Sequence, residues 1–295
     1  MNKEENNYLQ LLSNILENGS KRSDRTGVGT IGLFGTQLRF SLENNVVPML
    51  TTKKMFSRGG IEELLFFLRG ETDTKKLEAK GVNIWKGNTS REFLDKRGLR
   101  HLPEGDMGKG YGFQWRNFGK TSDGDCNYGN YYAAFGVDQL EQVIDQLKND
   151  PNSRRIIMTA WNPQQLSEMV LPPCHCFAQF YVDDGKLSCQ WYQRSVDTFL
   201  GLPFNLLSYA ILTRIIAKTV NMEAKEVIFA GGDTHCYLNH IEQVKEQISR
   251  EPYSFPTMTI NKDLATIKDI ENLSFEDFKF EGYRSHPSIK AEMAI

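Results

Sequence analysis

Apolar positions in this chain recur with two periods, and the change from one to the other marks out its elements. Between residues 3 and 18, Tyr8, Leu11, Leu12 and Ile15 share one helical face, and Gly19 offers a stop. From Thr30 to Leu42 the period shortens: Leu38, Phe40 and Leu42 alternate with polar residues, predicting a strand interrupted by Gly32 and Gly35. Gly59 and Gly70 bracket a short apolar helix, IEELLFFLR. Residues 86–130 lose periodicity and are rich in Gly, Asp, Asn, Lys and Arg; they read as a loop-rich insertion with short helices. Val137 to Lys148 is amphipathic again and is closed by Asn149-Asp150-Pro151.

Strand signals dominate the next stretch: RRIIMTAW (Arg154 to Trp161), HCFAQFYV (His175 to Val182) and LSCQWYQ (Leu187 to Gln193). The turn Asp183-Asp184-Gly185-Lys186 joins the last two as a hairpin. Phe204 to Thr219 is nearly all apolar, which predicts a helix buried on most sides. Glu226 to Ala230 reads as a short strand, Leu238 to Ser249 as a helix, and the tail from Pro252 as extended and irregular. The whole is one mixed α/β domain.

Bulk properties narrow the function classes. The 295 residues are 40% apolar, enough for a large core, and a net charge of −2 argues against broad electrostatic capture of nucleic acid or anionic membrane. No run approaches the roughly 18 apolar residues that span a bilayer. Five cysteines without a signal peptide point to reduced thiols in a cytoplasmic compartment. The glycines from Gly27 to Gly35 do not follow a dinucleotide fingerprint, and no Walker lysine motif is present.

The candidate chemistry centres on Pro172-Pro173-Cys174-His175. Two prolines make a stiff approach to the strand that starts at His175, so Cys174 stands at a strand entrance where a thiol can be partly exposed. The plain alternative is a small buried hydrophobe. In the hairpin the second strand runs back toward Cys174 and ends at Gln193-Arg194-Ser195. Arg194 is therefore expected beside Cys174, where a cation favours the thiolate; a solvated strand end is the other reading.

The segments LPPCHCFAQFYV, QRSVDTFLGLPFNLLSYAIL and GGDTHCYLNH, with RSDRTGVGT from Arg22 and the terminal HPSIKAEMAI, resemble the thymidylate synthase family along essentially the full chain. The resemblance implies a single domain on a large mixed sheet with surrounding helices. It implies that Cys174 adds to C6 of the uracil of dUMP and that 5,10-methylenetetrahydrofolate supplies carbon and hydride, giving dTMP and dihydrofolate. Asn205 matches the base reader, its amide suiting uracil N3–H and O4. Arg25, Arg154, Arg155, Arg194 and Ser195 match the phosphate ligands, with Gln193 beside them. Arg154 and Arg155 belong to the partner's site, so an obligate homodimer is implied. His235 and Tyr237 match the sugar ligands and Glu63 the general acid/base, whose inward position would raise its pKa. Trp85, Lys53, Asp197 and Ile295 match the folate site, and Tyr111 and Asp197 the catalytic water network. No metal is implied.

Two departures border the folate side: Lys109 and Gly110 in Gly108-Lys109-Gly110-Tyr111-Gly112, and Glu292-Met293 in the tail, where a proline is usual. A wetter folate site would favour the family's alternative outcome, a deoxyuridylate hydroxymethylase that releases 5-hydroxymethyl-dUMP and tetrahydrofolate. Two readings from other classes are a zinc site at Cys174, Cys176, His235 and His240, against which the tight Cys-x-Cys spacing counts, and a non-catalytic RNA-binding module, against which an intact Cys174 counts.

Overall fold

A computed structural model describes residues 2–24, 26–121 and 135–292. The framework is a six-stranded mixed sheet in the order β1-β2-β6-β5-β4-β3. Its strands are β1 (Ser20–Arg22), β2 (Thr30–Ser41), β3 (Ile157–Thr159), β4 (His175–Asp183), β5 (Lys186–Asp197) and β6 (Glu223–Tyr237). All neighbours are antiparallel except β5 and β6, which run parallel because helix α7 (Gly201–Thr219) connects them.

Helix α1 (Lys3–Asn18) begins where the Asn2 side chain accepts the Glu5 N–H, and it packs its apolar face on β2. Helix α7 is buried along most of its length, with Leu206, Leu207, Ala210, Ile211 and Ile215 in the core. It shares that core with Trp191 of β5 and Phe229 of β6, and Trp191 stacks on Tyr209 with centroids 4.7 Å apart. Helix α2 (Ser57–Leu68) packs beside α7, followed by α3 (Lys75–Glu78), α4 (Arg91–Lys96), α5 (Tyr111–Asn117) and α6 (Gln139–Asn149). Beyond β6 come α8 (Ile241–Ile248), the hairpin of β7 (Thr257–Ile260) with β8 (Phe278–Glu281), and α9 (Ile267–Glu271) between those strands.

Several sequence expectations are corrected. The strand expected over 154–161 is only Ile157–Thr159; Arg154 and Arg155 lie in the turn before it, after Pro151 has broken α6. Strand β6 covers fifteen residues rather than five and absorbs the whole Gly231-Gly232-Asp233-Thr234-His235 run. Glycines there leave room instead of ending the strand: a Cβ on Gly232 would stand 2.7 Å from the Tyr192 hydroxyl. Strand β5 runs on to Asp197. The tail is not irregular throughout, since it contains β7, β8 and α9.

Opposite α1 and α7, the other sheet face carries Ile157, Phe177, Tyr181, Gln190, Tyr192 and Ile228, and no helix among the described residues covers it. Tyr181 is 65% exposed.

One buried carboxylate anchors the segment that leads into α2. Glu5 accepts four hydrogen bonds of 2.7–2.8 Å, from the backbone N–H and hydroxyl of both Thr51 and Thr52. The backbone carbonyls of those two threonines bind His286 N–H and the Arg250 guanidinium. Replacing Glu5 by Gln turns an amide group toward donors, and is expected to lower stability by about 2–3 kcal/mol. Chemical denaturation at fixed protein concentration checks this, and a loss below about 0.5 kcal/mol would show that the four bonds are not the anchor.

Candidate active site

Cys174 stands one residue before β4, as the prolines predict. A register shift between His175 and Phe177 bulges β4 at its first turn, leaving Cys176 as the extra residue. The Cys176 carbonyl accepts from Ala160 N–H and from the Thr159 hydroxyl, which fixes the bulge against the end of β3.

Arg194 lies where the hairpin places it. Its N–H binds the Cys174 carbonyl at 2.9 Å, and Nε and Nη2 bind the carbonyls of Pro173 and Pro172, each at 2.9 Å. Nη2 is 4.0 Å from Cys174 Sγ, and the guanidinium lies 5.4 Å from the Trp161 ring centre. The solvated-strand-end reading fails. Tyr111, first residue of α5, accepts the Cys174 N–H on its hydroxyl at 2.7 Å, and its ring stacks on His175 at 4.1 Å.

A narrow cavity adjoins this cluster, with space for about one water, lined by Glu63, Phe67, Trp115, His175, Asn205 and Tyr209. Glu63 retains some exposed surface, but its carboxyl is enclosed, accepts the Trp85 indole N–H at 2.7 Å, and is raised by burial to about 7. Asn205 is the fifth residue of α7. The turn that leads into the helix is held by Asp197 Oδ1, which accepts the N–H of Phe199 and of Leu200, the two residues before α7. Asn205 Nδ2 donates to Gln193 Oε1 at 3.1 Å.

The parallel ladder of β5 and β6 pairs Ser195 with Asp233 and Asp197 with His235, so candidate phosphate and sugar ligands sit side by side at the strands' carboxyl ends. His235 lies beside Tyr237 with centroids 5.4 Å apart.

A sequence model described as Thymidylate synthase matches residues 6–295. Thymidylate synthase of Saccharomyces cerevisiae is 52% identical over 307 residues, covering 100% of this chain and 98% of the yeast protein. That of Ascaris suum is 49% identical over 296 residues, covering 100% of this chain and 98% of its own length. The bifunctional dihydrofolate reductase-thymidylate synthase of Paramecium tetraurelia is 50% identical over 293 residues, which are 99% of this chain and 62% of that protein. The chain belongs to the thymidylate synthase family.

Within this thymidylate synthase framework the candidate residues divide into groups. Contacts join Cys174 to Arg194 and Tyr111, and Asn205 to Gln193; His175, stacked on Tyr111, lines the same cavity as Glu63 and Asn205 and so links the two sets. Arg154 and Arg155 are exposed and, among the described residues, pair with no carboxylate. Lys53 is buried: its ammonium donates to the Phe199 carbonyl, lies 3.7 Å from that ring's centre, and is lowered by burial to about 7. Arg25, Ile295 and most of the 119–135 loop lie outside the described residues. Both departures from the family pattern have partners here. Lys109 pairs with Glu168 at 2.8 Å, and the Glu292 carbonyl meets His240 Nε2 at 2.7 Å. No group of three or more His, Cys, Asp or Glu among the described residues is arranged to hold a metal, so the Cys174, Cys176, His235 and His240 set is not assembled.

His175 and Tyr209 were missed. Burial lowers His175 to about 3, and its Nδ1 is 3.0 Å from the Tyr209 hydroxyl. It therefore remains neutral and lends no charge to the thiol. Its place directly after Cys174 was the available signal.

Two expectations come from these geometries. Arg194→Gln removes the cation beside Sγ and should slow iodoacetamide alkylation of Cys174 by about tenfold near neutral pH; an unchanged rate would separate the guanidinium from thiol reactivity. Because Glu63 titrates above the ordinary glutamate range, the folded state keeps a proton that the unfolded chain has released, and stability falls as pH rises through that range to about 7. Glu63→Gln should flatten that fall in melts from about pH 5 to about pH 8 while eliminating turnover. An identical pH dependence in the variant would move the titration elsewhere.

Proposed function

We propose that this chain is an enzyme that methylates dUMP reductively to dTMP, with 5,10-methylenetetrahydrofolate as co-substrate and dihydrofolate as co-product. The observation that carries the reading is Cys174 with the Arg194 guanidinium at its thiol, in a chain about half identical to thymidylate synthases along its length. The relatives' activity also favours methylation over the hydroxymethylating alternative.

Cys174 Sγ bonds to C6 of the uracil, and the C5=C6 electron pair moves toward C5 and O4, giving an enolate-like carbon nucleophile. Asn205 reads the base. The indole N–H of Trp191 points to Gln193 Oε1 at 3.4 Å, marking that atom as an acceptor, and Asn205 must then give it an N–H. That leaves Asn205 Oδ1 for uracil N3–H and its second N–H for O4, where negative charge develops. Glu63, neutral or ionised with small changes near pH 7, exchanges protons on that side of the base. Arg194, Ser195 and Arg25 bind the phosphate, with Gln193 beside them, and His235 and Tyr237 bind the sugar.

Folate supplies the one-carbon unit and the hydride. Exposed Ile84 and half-buried Trp85 offer it apolar surface beside Glu63, and Phe56, 65% exposed, precedes the same helix. Lys53, Asp197 and Ile295 complete this side in the reading. Asp197 has a structural task as well, through the turn it holds ahead of α7.

We read the chain as one catalytic domain with an insertion at about 86–130, acting in the cytoplasm as a homodimer. No helix among the described residues is long and apolar enough to cross a membrane. The uncovered sheet face, with Ile157, Phe177 and Tyr181 exposed, supports self-association, and Arg154 and Arg155 lie in the turn that enters β3 at its edge. Both arginines then serve the partner's phosphate site.

Incubation with dUMP and methylenetetrahydrofolate should yield dTMP by mass and dihydrofolate by absorbance; a hydroxymethyl product without dihydrofolate would overturn the assignment. Cys174→Ser should cut turnover by about three orders of magnitude or more with dUMP binding retained. Heterodimers of Cys174→Ser with Arg154→Ala should recover about half the activity of the native dimer, since one site is intact. No recovery, with the heterodimer verified, would defeat the shared site.

A further inference from the structure

A hydrogen-bonded chain reaches His235 from outside the substrate pocket. Asp233 Oδ1 is 3.0 Å from His235 Nδ1, and Asp233 Oδ2 accepts from Arg22 Nη1 at 3.0 Å. The backbone enforces the arrangement. Asp233 and His235 occupy alternate positions of β6 and share a side of the strand, while Arg22 closes β1 in the neighbouring ladder. Opposite His235 is Gly32, where a Cβ would come within 2.9 Å of the His235 Cβ. The histidine ring is thereby seated, and its side chain is nearly buried.

A carboxylate has no hydrogen to give, so the Asp233 contact requires the proton on Nδ1. The described residues offer Nε2 no partner. In the neutral ring Nε2 is then a lone-pair acceptor, and whatever meets it must donate.

We propose that Asp233 is a positioning residue that fixes the His235 tautomer, so that the enzyme accepts only nucleotides whose sugar donates a hydrogen bond at the 3′ position. The proposal rests on the reading of His235 as a sugar ligand. A 3′-hydroxyl satisfies Nε2; a 3′-hydrogen leaves it unpaired, and a 3′-fluorine faces it with a second acceptor. Arg22 holds the carboxylate in line, and because that pair is largely exposed it contributes little energy of its own.

The test compares dUMP with its 3′-deoxy and 3′-fluoro analogues. The native enzyme should bind both analogues about 10- to 100-fold more weakly than dUMP. Asp233→Asn has an amide that can flip and support either tautomer. It should raise KM for dUMP about tenfold with kcat nearly unchanged, and bring the three dissociation constants within about threefold of one another. Undiminished discrimination in the variant would overturn the proposal. Independently of any variant's folding, 15N NMR of the native protein should show His235 protonated at Nδ1, and a resting Nε2–H form would equally overturn it. His235→Ala separates the two layers. If it leaves KM for dUMP unchanged, the sugar-ligand reading fails; if KM rises while Asp233→Asn keeps native discrimination, only the tautomer inference fails.

Discussion

The Arg194 guanidinium bound to two consecutive proline carbonyls is the contact on which this site depends. Pro172 and Pro173 lack N–H groups and cannot be held in a sheet ladder from that side. Their carbonyls are held instead by Nε and Nη2 of one arginine, at 2.9 Å each. Charge-assisted bonds of this kind contribute about 1.5–3 kcal/mol apiece. They fix the direction from which Cys174 enters β4, and the same cation then needs no movement to face the thiol. Backbone direction and thiol electrostatics are set by one side chain.

Around that contact the fold supplies rulers. The tight turn at Asp184 and Gly185, both with positive φ, sets the β4–β5 register and so the pairing of position 174 with position 194. The parallel β5–β6 ladder then sets Ser195 and Asp197 against Asp233 and His235. At the end of β5, Asp197 holds the turn into α7 through the N–H groups of Phe199 and Leu200, and Asn205 arrives in the first turns of that helix beside Gln193. Each step is a backbone count, which is why Arg194, Ser195, Asn205, His235 and Tyr237 come from the consecutive elements β5, α7 and β6.

Much of this was legible in the residues. Period 3.6 marked α1 and α6, period 2 marked β2, and the hairpin count alone brought Arg194 to Cys174. The length of β6 was not legible, because Gly231 and Gly232 read as a break, whereas in the structure Gly232 admits Tyr192 and Arg194, and Gly231 admits Phe229, Thr36 and Thr234. Arg154 and Arg155 read as strand because apolar residues follow them, yet Pro151 had already imposed a turn. Asn205, His235 and Tyr237 carried no local signal and entered only through resemblance. The Glu63–Trp85 bond joins residues from separate elements, and His175 owes its neutrality to burial by distant aromatics; neither fact is written in a local pattern.

The Lys109–Glu168 pair shows how the two halves of the site differ in what they can inherit. Lys109 stands where the family pattern has proline, and Glu168, with the Phe113 ring 5.7 Å from the ammonium, accommodates it. On the sheet-borne half no substitution is so local: a one-residue insertion between Cys174 and Arg194 would displace Ser195, Asp197 and all of α7 together. Variation should therefore collect on the loop-borne side, where one residue can change without moving its neighbours, and be held in check on the sheet-borne side, where a shift of one residue is passed along every element that follows.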